Sequence, residues 1–403
     1  MRFLTILVLC WLPSGAVAQT LGELEDILRA HPSLAALGYE TEAARELSRA
    51  ATGLPDPVVS FGINNLPVSD PAFDRFLPTN RAIGVRQDFP NLAGRRARAS
   101  QAQARAGISE AMKKARFSAL RAELIILLHE KDRIAAERGL AKERQEKYDR
   151  LSEVASAEVS GGRPVVFRLA EIEAERAGVA RQLAALLEAE AAANAALINL
   201  VGFVPDAAAP AVEAVAWDSD PSKFHAVRVL VNDIERAEGA VDEARAAFRP
   251  NWGAQLTYQQ REEGSGAPGE VFAGDDWVSG MVTVTVPLWA GRSQAPRLRA
   301  AKAQEAAARS SYLAAARSAR ARYEALRSQI ESARSQAAIL EAEMAAVEDE
   351  IASQLRTYES GVGDYAPVID GEITLLRLRT ERVRERVRTA QSAARLNSLL
   401  VAP

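Results

Sequence analysis

Four short stretches of the chain alternate between apolar and polar residues. This alternation is typical of β-strands that have one apolar and one polar face. The stretches are 58–66, 81–89, 252–260 and 277–286, and they form two predicted hairpins, 58–89 and 252–286. Each has about 9–10 residues, the length that crosses a bilayer when a strand is tilted. The pattern favours membrane-spanning strands, and a soluble four-stranded sheet with one wet face is the alternative.

The alternation also assigns the strand residues to two faces. We expect Phe61, Ile63, Ile83, Val85, Leu256 and Tyr258 to face lipid, and Gly84, Arg86, Gln255 and Thr257 to face a lumen. Four strands alone leave two open edges, which the hydrocarbon of a bilayer does not tolerate. Other copies of the chain must therefore complete the sheet.

The rest of the chain is predicted to be helical, and two of the helices are very long. The predicted helices are 20–52 (interrupted at His31-Pro32), 94–160, 164–200, 221–248, 292–359 and 366–400. Within 292–359 the apolar residues step alternately by four and by three: Ala319, Tyr323, Leu326, Ile330, Ala333, Ala337, Leu340, Met344, Val347 and Ile351. A heptad repeat of this kind predicts packing along another helix. The expected fold class is therefore mainly α, with long coiled-coil helices and a small β part.

The chain contains the same strand–helix junction motif twice. Pro90 and Gly94 follow the strand 81–89, and Pro287 and Gly291 follow the strand 277–286 at the same relative positions, about half a chain later. We expect these four residues to form the joints between strands and long helices. The repeat predicts a duplicated unit: a signal peptide at 1–18, a first repeat at 19–202, a connector at 203–220 and a second repeat at 221–403.

The first segment has the features of a secretory signal peptide. Arg2 precedes an apolar run, and Ala16-Val17-Ala18 offers a cleavage site of small residues. The alternative is a lipid anchor at Cys10, but Leu9 before it is larger than the residue usual at that position. No later stretch approaches ~18–20 uninterrupted apolar residues, so we expect no helix to span a bilayer.

Composition and motifs argue against an enzyme and against nucleic-acid binding. The net charge of −3 provides no basic field toward nucleic acid. The segment His129-Glu130-Lys131-Asp132-Arg133 lacks the second histidine of a zinc-protease motif, and its position suggests a solvated helix face. No pair of glycines lies between a strand and a helix as a phosphate-binding loop requires. We expect no catalytic residue, no cofactor and no metal site.

Several segments together resemble the TolC family, the outer-membrane channel subunits of tripartite efflux and type I secretion systems. They are Leu21 with His31-Pro32-Ser33-Leu34, Gly53-Leu54-Pro55-Asp56-Pro57, Val286 to Arg292, and Tyr358 to Tyr365 with Val368-Ile369-Asp370. The resemblance implies a homotrimer whose strands close a twelve-stranded β-barrel in outer-membrane lipid and whose helices form an α-barrel in the periplasm. It also implies two partners, a periplasmic adaptor (membrane fusion protein) and an inner-membrane pump of the RND type.

The segment 54–67 and the short chain look closer to the CzcC- and CusC-like, heavy-metal branch of that family. The function that this likeness favours is a passive duct for heavy-metal cations, with drugs as a second class of cargo. The alternatives are a type I secretion duct of the same fold and a structural or adhesive trimeric coiled coil.

Two helix breaks carry the residues expected at the adaptor-docking end. Gly161 and Gly162 lie in the first break, and Gly361 and Gly363 lie in the second. Glycine adopts positive φ angles that other residues resist, so each break is predicted to reverse the chain tightly.

Two acidic residues follow the second break and are candidates for a pore or gate. Around a threefold axis, Asp364 and Asp370 would each form a ring of three carboxylates that attracts cations. Asp370 also matches an acidic position of the family that the segment resembles. For Asp364 the competing prediction, which we favour, is an N-terminal helix cap.

Overall fold

The computed structural model describes residues 19–162, 166–263 and 274–401. The signal peptide predicted at 1–18, with Cys10, lies outside the described residues. The chain divides into two compact units. Unit 1 comprises the described parts of Met1–Ala36, Lys113–Ala226 and Ala316–Pro403, and unit 2 comprises those of Leu37–Met112 and Val227–Ala315.

The helices lie close to their predicted positions. They are α1 (Leu21–Arg29), α2 (Pro32–Thr52), α3 (Leu92–Ser160), α4 (Val166–Val201), α5 (His225–Ala246), α6 (Gln294–Glu359) and α7 (Ala366–Leu399), with a short 3₁₀ helix at Pro221–Lys223 before α5. The predicted interruption separates α1 from α2, because Pro32 supplies no backbone N–H to continue the first helix. Helix α3 has 69 residues, which correspond to about 100 Å of helix.

Unit 2 contains a sheet of four antiparallel strands. The strands are β1 (Val58–Asn64), β2 (Asn80–Phe89), β3 (Asn251–Gln260) and β4 (Trp277–Thr285), and they lie side by side in chain order. The central pair places Val85 opposite Leu256 and Gly84 opposite Thr257. The outer edges of β1 and β4 have no partner strand among the described residues.

Unit 1 is held together by leucine side chains between helices. Its largest cluster joins α1, α2, α3 and α4: Leu24, Leu28, Leu34, Leu120, Leu124, Leu128, Leu197, Leu200 and Val201. Burying one leucine side chain fully contributes about 1.5–3 kcal/mol. Helix α1 starts at a capping box, in which Thr20 and Glu23 each accept a hydrogen bond from the other's backbone N–H. Side-chain burial therefore stabilises the nine-residue helix α1, which is too short to be stable alone in water.

The predicted heptad of the second long helix packs against a neighbour. All ten residues of the stripe are buried or half-buried. In unit 1, Met344 of α6 joins Leu375 and Leu378 of α7 in one cluster, with Leu340 and Val347 packed against it. The coiled-coil prediction for this helix is confirmed.

The two compact units are a different division from the two predicted repeats. Each unit combines segments from both halves of the chain. Helices α2, α3, α5 and α6 each contribute residues to both units. The division into repeats at 19–202 and 221–403 stays a prediction.

One helix differs from the expectation that no segment could span a membrane as a helix. Among the described residues, the stretch Phe167–Val201 of α4 is long and apolar enough by length and composition. Only 28% of its most apolar window is buried. Helix α4 also forms polar contacts with α3: Arg138 binds Glu190, and Arg144 binds Gln182.

Candidate functional site

The sheet has one continuous apolar face. The strand register places the six residues predicted to face lipid on that face, together with Val59, Trp252, Val278, Val282 and Val284. Gly84, Arg86, Gln255 and Thr257 lie on the opposite face. Along β3 the apolar face is the more exposed one: Leu256 is 59% exposed, whereas Gln255 and Thr257 are half-buried. Such a face requires lipid or protein against it, because exposing large apolar side chains to water is unfavourable.

Aromatic side chains lie near both ends of this face. Phe89 pairs with Trp252 at the end nearest the long helices, and Tyr258 lies six residues further along β3. Six residues of strand span about 20 Å. Bands of aromatic residues on either side of an apolar zone about 25 Å tall are typical of membrane barrels.

The first strand–helix joint is packed within the chain. Asn91 caps α3, since its Oδ1 accepts a 2.8 Å hydrogen bond from the Gly94 backbone N–H. The Asn91 side chain and backbone also donate to Asn251 Oδ1 at the start of β3. A Cβ on Gly94 would lie 3.6 Å from Ala246 Cβ and 3.2 Å from Asn91 Oδ1. Gly94 thus permits the close approach of α3 and α5, and Pro90 ends the β2 ladder by removing its N–H.

The second joint has the same sequence motif and a different environment. A Cβ on Gly291 would meet no heavy atom within 4 Å. After Pro287 the chain makes a turn, so α6 begins only at Gln294. Leu288 and Trp289 are 74% and 72% exposed there. The equivalence of the joints therefore holds for the sequence and does not extend to their packing.

Each helix break has one glycine with positive φ among its described residues. These are Gly162 (φ 87°) and Gly361 (φ 78°). In the second break the Gly361 N–H donates to Tyr358 O and the Val362 N–H donates to Thr357 O, which is a Schellman motif. Gly161 and Gly363 do not have positive φ. Val362 is 82% exposed at the turn.

The structure separates the two acidic candidates. Helix α7 has Tyr365 at its N-cap position, with no capping hydrogen bond from that side chain. Asp364 precedes this position, so its predicted role as the N-cap was wrong. Asp370 lies in the first turns of α7, where its Oδ2 accepts a 2.5 Å hydrogen bond from Arg168 of α4. The Asp370 side chain is 49% exposed.

A buried carboxylate on α3 escaped the sequence analysis. Glu137 is 1% exposed and binds Arg133 on its own helix. Its oxygens also accept hydrogen bonds of 2.9 and 2.7 Å from Arg384 of α7. Burial alone would raise the pKa of Glu137, but the hydrogen bonds from Arg384 and Arg133 outweigh it and hold that pKa below its ordinary value. The i,i+4 spacing of Arg133 and Glu137 was the only signal in the sequence, and it is typical of surface pairs.

The remaining chemistry of the described residues is sparse. No group of three or more His, Cys, Asp or Glu side chains among them could hold a metal ion. His129 is half-buried, and its Nε2 lies 2.9 Å from Pro210 O of the connector. The prediction of a solvated face for His129 was therefore wrong.

Comparison with known proteins agrees with this architecture. Residues 224–401 match the family model described as Outer membrane efflux protein. The matched stretch runs from the start of α5 to the end of α7.

Solved structures of similar fold cover nearly the whole chain. The outer-membrane channel OprN has a TM-score of 0.77 at 17% identity, covering 95% of this chain and 90% of that one. VceC from Vibrio cholerae has a TM-score of 0.74 at 17% identity, covering 94% and 95%. CusC has a TM-score of 0.75 at 14% identity, covering 97% and 95%. None of the curated proteins compared with the chain matches it.

Proposed function

We propose that this protein is the passive outer-membrane duct of a tripartite export system and that it works as a homotrimer. The observation that carries the proposal is the four-stranded sheet with one continuous apolar face and two unpaired edges. A bilayer does not tolerate unpaired backbone groups at such edges, so β1 and β4 of neighbouring copies have to meet. Three copies supply twelve strands, an even number within the range of outer-membrane barrels. The exposed Leu288 and Trp289 offer apolar surface to a neighbouring copy.

The favoured cargo is heavy-metal cations, with drugs as the second class. This preference rests on the resemblance of segment 54–67 to the heavy-metal branch. The fold does not contribute to it, because OprN and CusC are similar in fold to this chain to nearly the same degree. The cargo is tested by growth. The host and a strain that lacks this gene are compared on copper, zinc and cobalt salts, and on dyes and antibiotics. Sensitivity to drugs alone would overturn the metal assignment.

The partners we propose are a periplasmic adaptor at the two helix breaks and an RND-type pump in the inner membrane. The support is local: each break has a glycine with positive φ, and the second exposes Val362 between two glycines. An apolar residue at an exposed turn is a suitable anchor for a partner.

The duct is tested by the mass and the conductance of the purified protein. In detergent the particle should have the mass of three chains, and in a planar bilayer it should give discrete ion-conducting steps. A type I secretion duct would also conduct, and it would differ by restoring protein secretion rather than resistance. A monomer that keeps its full β content, or a trimer without conductance, would contradict the proposal; the second result would favour a structural or adhesive coiled coil.

A further inference from the structure

Unit 2 contains a basic cavity next to the first strand–helix joint. It has a volume of about 370 Å³ and lies between the start of α3 and the end of α5. Three arginines line it, Arg96, Arg245 and Arg249, together with Ser100, Asp242 and small alanines. Guanidinium and hydroxyl groups are donors that suit phosphate oxygens, and arginine binds phosphate through two parallel hydrogen bonds.

The positive charge of this cavity is largely uncompensated. Arg245 shares a 2.9 Å contact with Asp242, the only carboxylate among the lining residues. The side chains of Arg96 and Arg249 have no ion pair or hydrogen bond with any described residue. By contrast, Arg98 on the same stretch of α3 lies outside the cavity and is paired with Glu243 at 3.5 Å. The guanidinium groups of Arg96 and Arg249 therefore retain donors for a ligand.

The position of the cavity along the chain matches the headgroup layer of a membrane. Arg249 lies three residues before Trp252, which with Phe89 forms the aromatic end of the apolar face. Arg96 lies four residues into α3, about 6 Å along the helix axis from its start. The polar layer of a bilayer is roughly 5–8 Å thick on each side of the hydrocarbon. If the apolar face spans the hydrocarbon, the arginines lie at the depth of lipid phosphates.

We propose that this cavity binds a phosphate group, presented by the headgroup of an anionic glycerophospholipid or by free inorganic phosphate. The depth favours the headgroup as its source. Such a contact would fix the strand–helix joint against the membrane surface. The inference depends on the membrane placement of the sheet and not on export, so a failure of one does not imply a failure of the other.

The test uses the purified full chain in nonionic detergent after removal of co-purified lipid. Native mass spectrometry counts bound phosphatidylglycerol, with phosphatidylcholine as the zwitterionic comparison. Thermal unfolding in sodium phosphate and in sodium chloride at equal ionic strength tests the free anion. The variant is Arg96→Gln with Arg249→Gln. The matched control, Arg105→Gln with Arg299→Gln, removes two exposed arginines of unit 2 that lie outside the cavity.

The expected result is that phosphatidylglycerol binds more tightly than phosphatidylcholine and that the cavity variant weakens this binding roughly tenfold or more. The control should bind as the wild type does. A second outcome would support free inorganic phosphate as the source. In it, phosphate stabilises the wild type and the control but not the cavity variant, and no protein prefers phosphatidylglycerol to phosphatidylcholine. Equal losses in both variants, or no selectivity for phosphatidylglycerol or phosphate in the wild type, would overturn the proposal. If the double variant does not fold, Arg96→Lys replaces it, since it keeps the charge and loses the bidentate geometry.

Discussion

At the scale of single residues, Glu137 shows how packing changes the meaning of a local pattern. Arg133 and Glu137 are four residues apart on α3, a spacing that usually describes a solvated pair. Helix α7 covers this pair and adds Arg384, so the Glu137 carboxylate is fully buried and bound by two guanidinium groups. Removing one member of a buried ion network costs more than an exposed pair contributes, because the remaining charges lose their partner.

We therefore expect Glu137→Gln to lower the free energy of unfolding by about 2–3 kcal/mol, reduced from the full buried-pair cost because Arg384 is half-exposed. Chemical unfolding of the detergent-solubilised protein, followed by circular dichroism, measures it. Glu324→Gln is the control, since Glu324 forms an exposed i,i+3 pair with Arg327 and should change stability by less than about 0.5 kcal/mol. Equal effects of the two substitutions would refute a special role for Glu137.

The same network predicts how stability depends on pH. The pKa of Glu137 is lower in the folded state than in the unfolded state, because the bonds from Arg384 and Arg133 outweigh burial. Hydrogen bonding from Arg133 likewise lowers the pKa of Glu130. Their contribution is present above the unfolded carboxyl pKa of about 4.3 and is lost as the pH falls through the folded value. Below pH 4, the difference in stability between wild type and Glu137→Gln should shrink, as melting curves at several pH values would show.

At the scale of elements, strand periodicity fixed which side chains share a face. A period of two leaves a single assignment once the ends of a strand are known, because a shift by one residue would move every apolar side chain to the other face. The backbone conformation of the helix breaks was harder to predict from the sequence. The sequence shows four glycines at the two breaks, but only the backbone geometry shows that Gly162 and Gly361 have positive φ.

The two faces of β3 give a matched pair of substitutions. Leu256→Arg places a charge on the apolar face and should cost about 2–4 kcal/mol at mid-bilayer depth, whereas Thr257→Arg on the polar face should cost much less. The yield of folded protein inserted into lipid vesicles, measured by the gel shift of unboiled samples, compares them. Equal yields would contradict the assignment of faces.

The second helix break should be sensitive to its left-handed glycine. Gly361→Ala forces an L-residue to φ near 78° and should strain the turn by about 1 kcal/mol or more. We expect it to impair export while the trimer still assembles. Gly161→Ala is the control, because Gly161 does not have positive φ and a Cβ there makes only ordinary contacts at 3.4 Å. Resistance that is unchanged in Gly361→Ala would argue against docking at this turn.

At the scale of the whole molecule, the ion pair between Arg168 and Asp370 connects α4 to α7. Both residues lie within a few positions of a helix break in the sequence. We propose that Asp370 lines the narrow end of the duct and that Arg168 holds it in the resting state. Asp364, which also follows the second break, is the other pore candidate. A half-exposed pair contributes at most about 1 kcal/mol, which a partner could readily overcome.

Asp370→Asn should therefore lower the cation selectivity of the trimer and weaken its block by multivalent cations from the periplasmic side. Reversal potentials under a salt gradient in planar bilayers measure this change. Arg168→Gln should raise the open probability without lowering cation selectivity, and Asp349→Asn, an exposed residue of α6 away from the breaks, should change neither. If wild type and Asp370→Asn had identical reversal potentials, the pore role of Asp370 would have to be abandoned.

The sequence by itself determined the secondary structure, the faces of the strands and the packing stripe of α6, because these follow from periods of two, 3.6 and 3.5 residues along the chain. It also showed the duplicated joint and the helix breaks. Only the tertiary structure decided that Glu137 is buried beneath α7, that Gly94 packs on α5 while Gly291 faces open space, and that Arg96 and Arg249 share a cavity. Those features depend on which helices become neighbours, and contacts between residues more than a hundred positions apart leave no periodic trace in the chain.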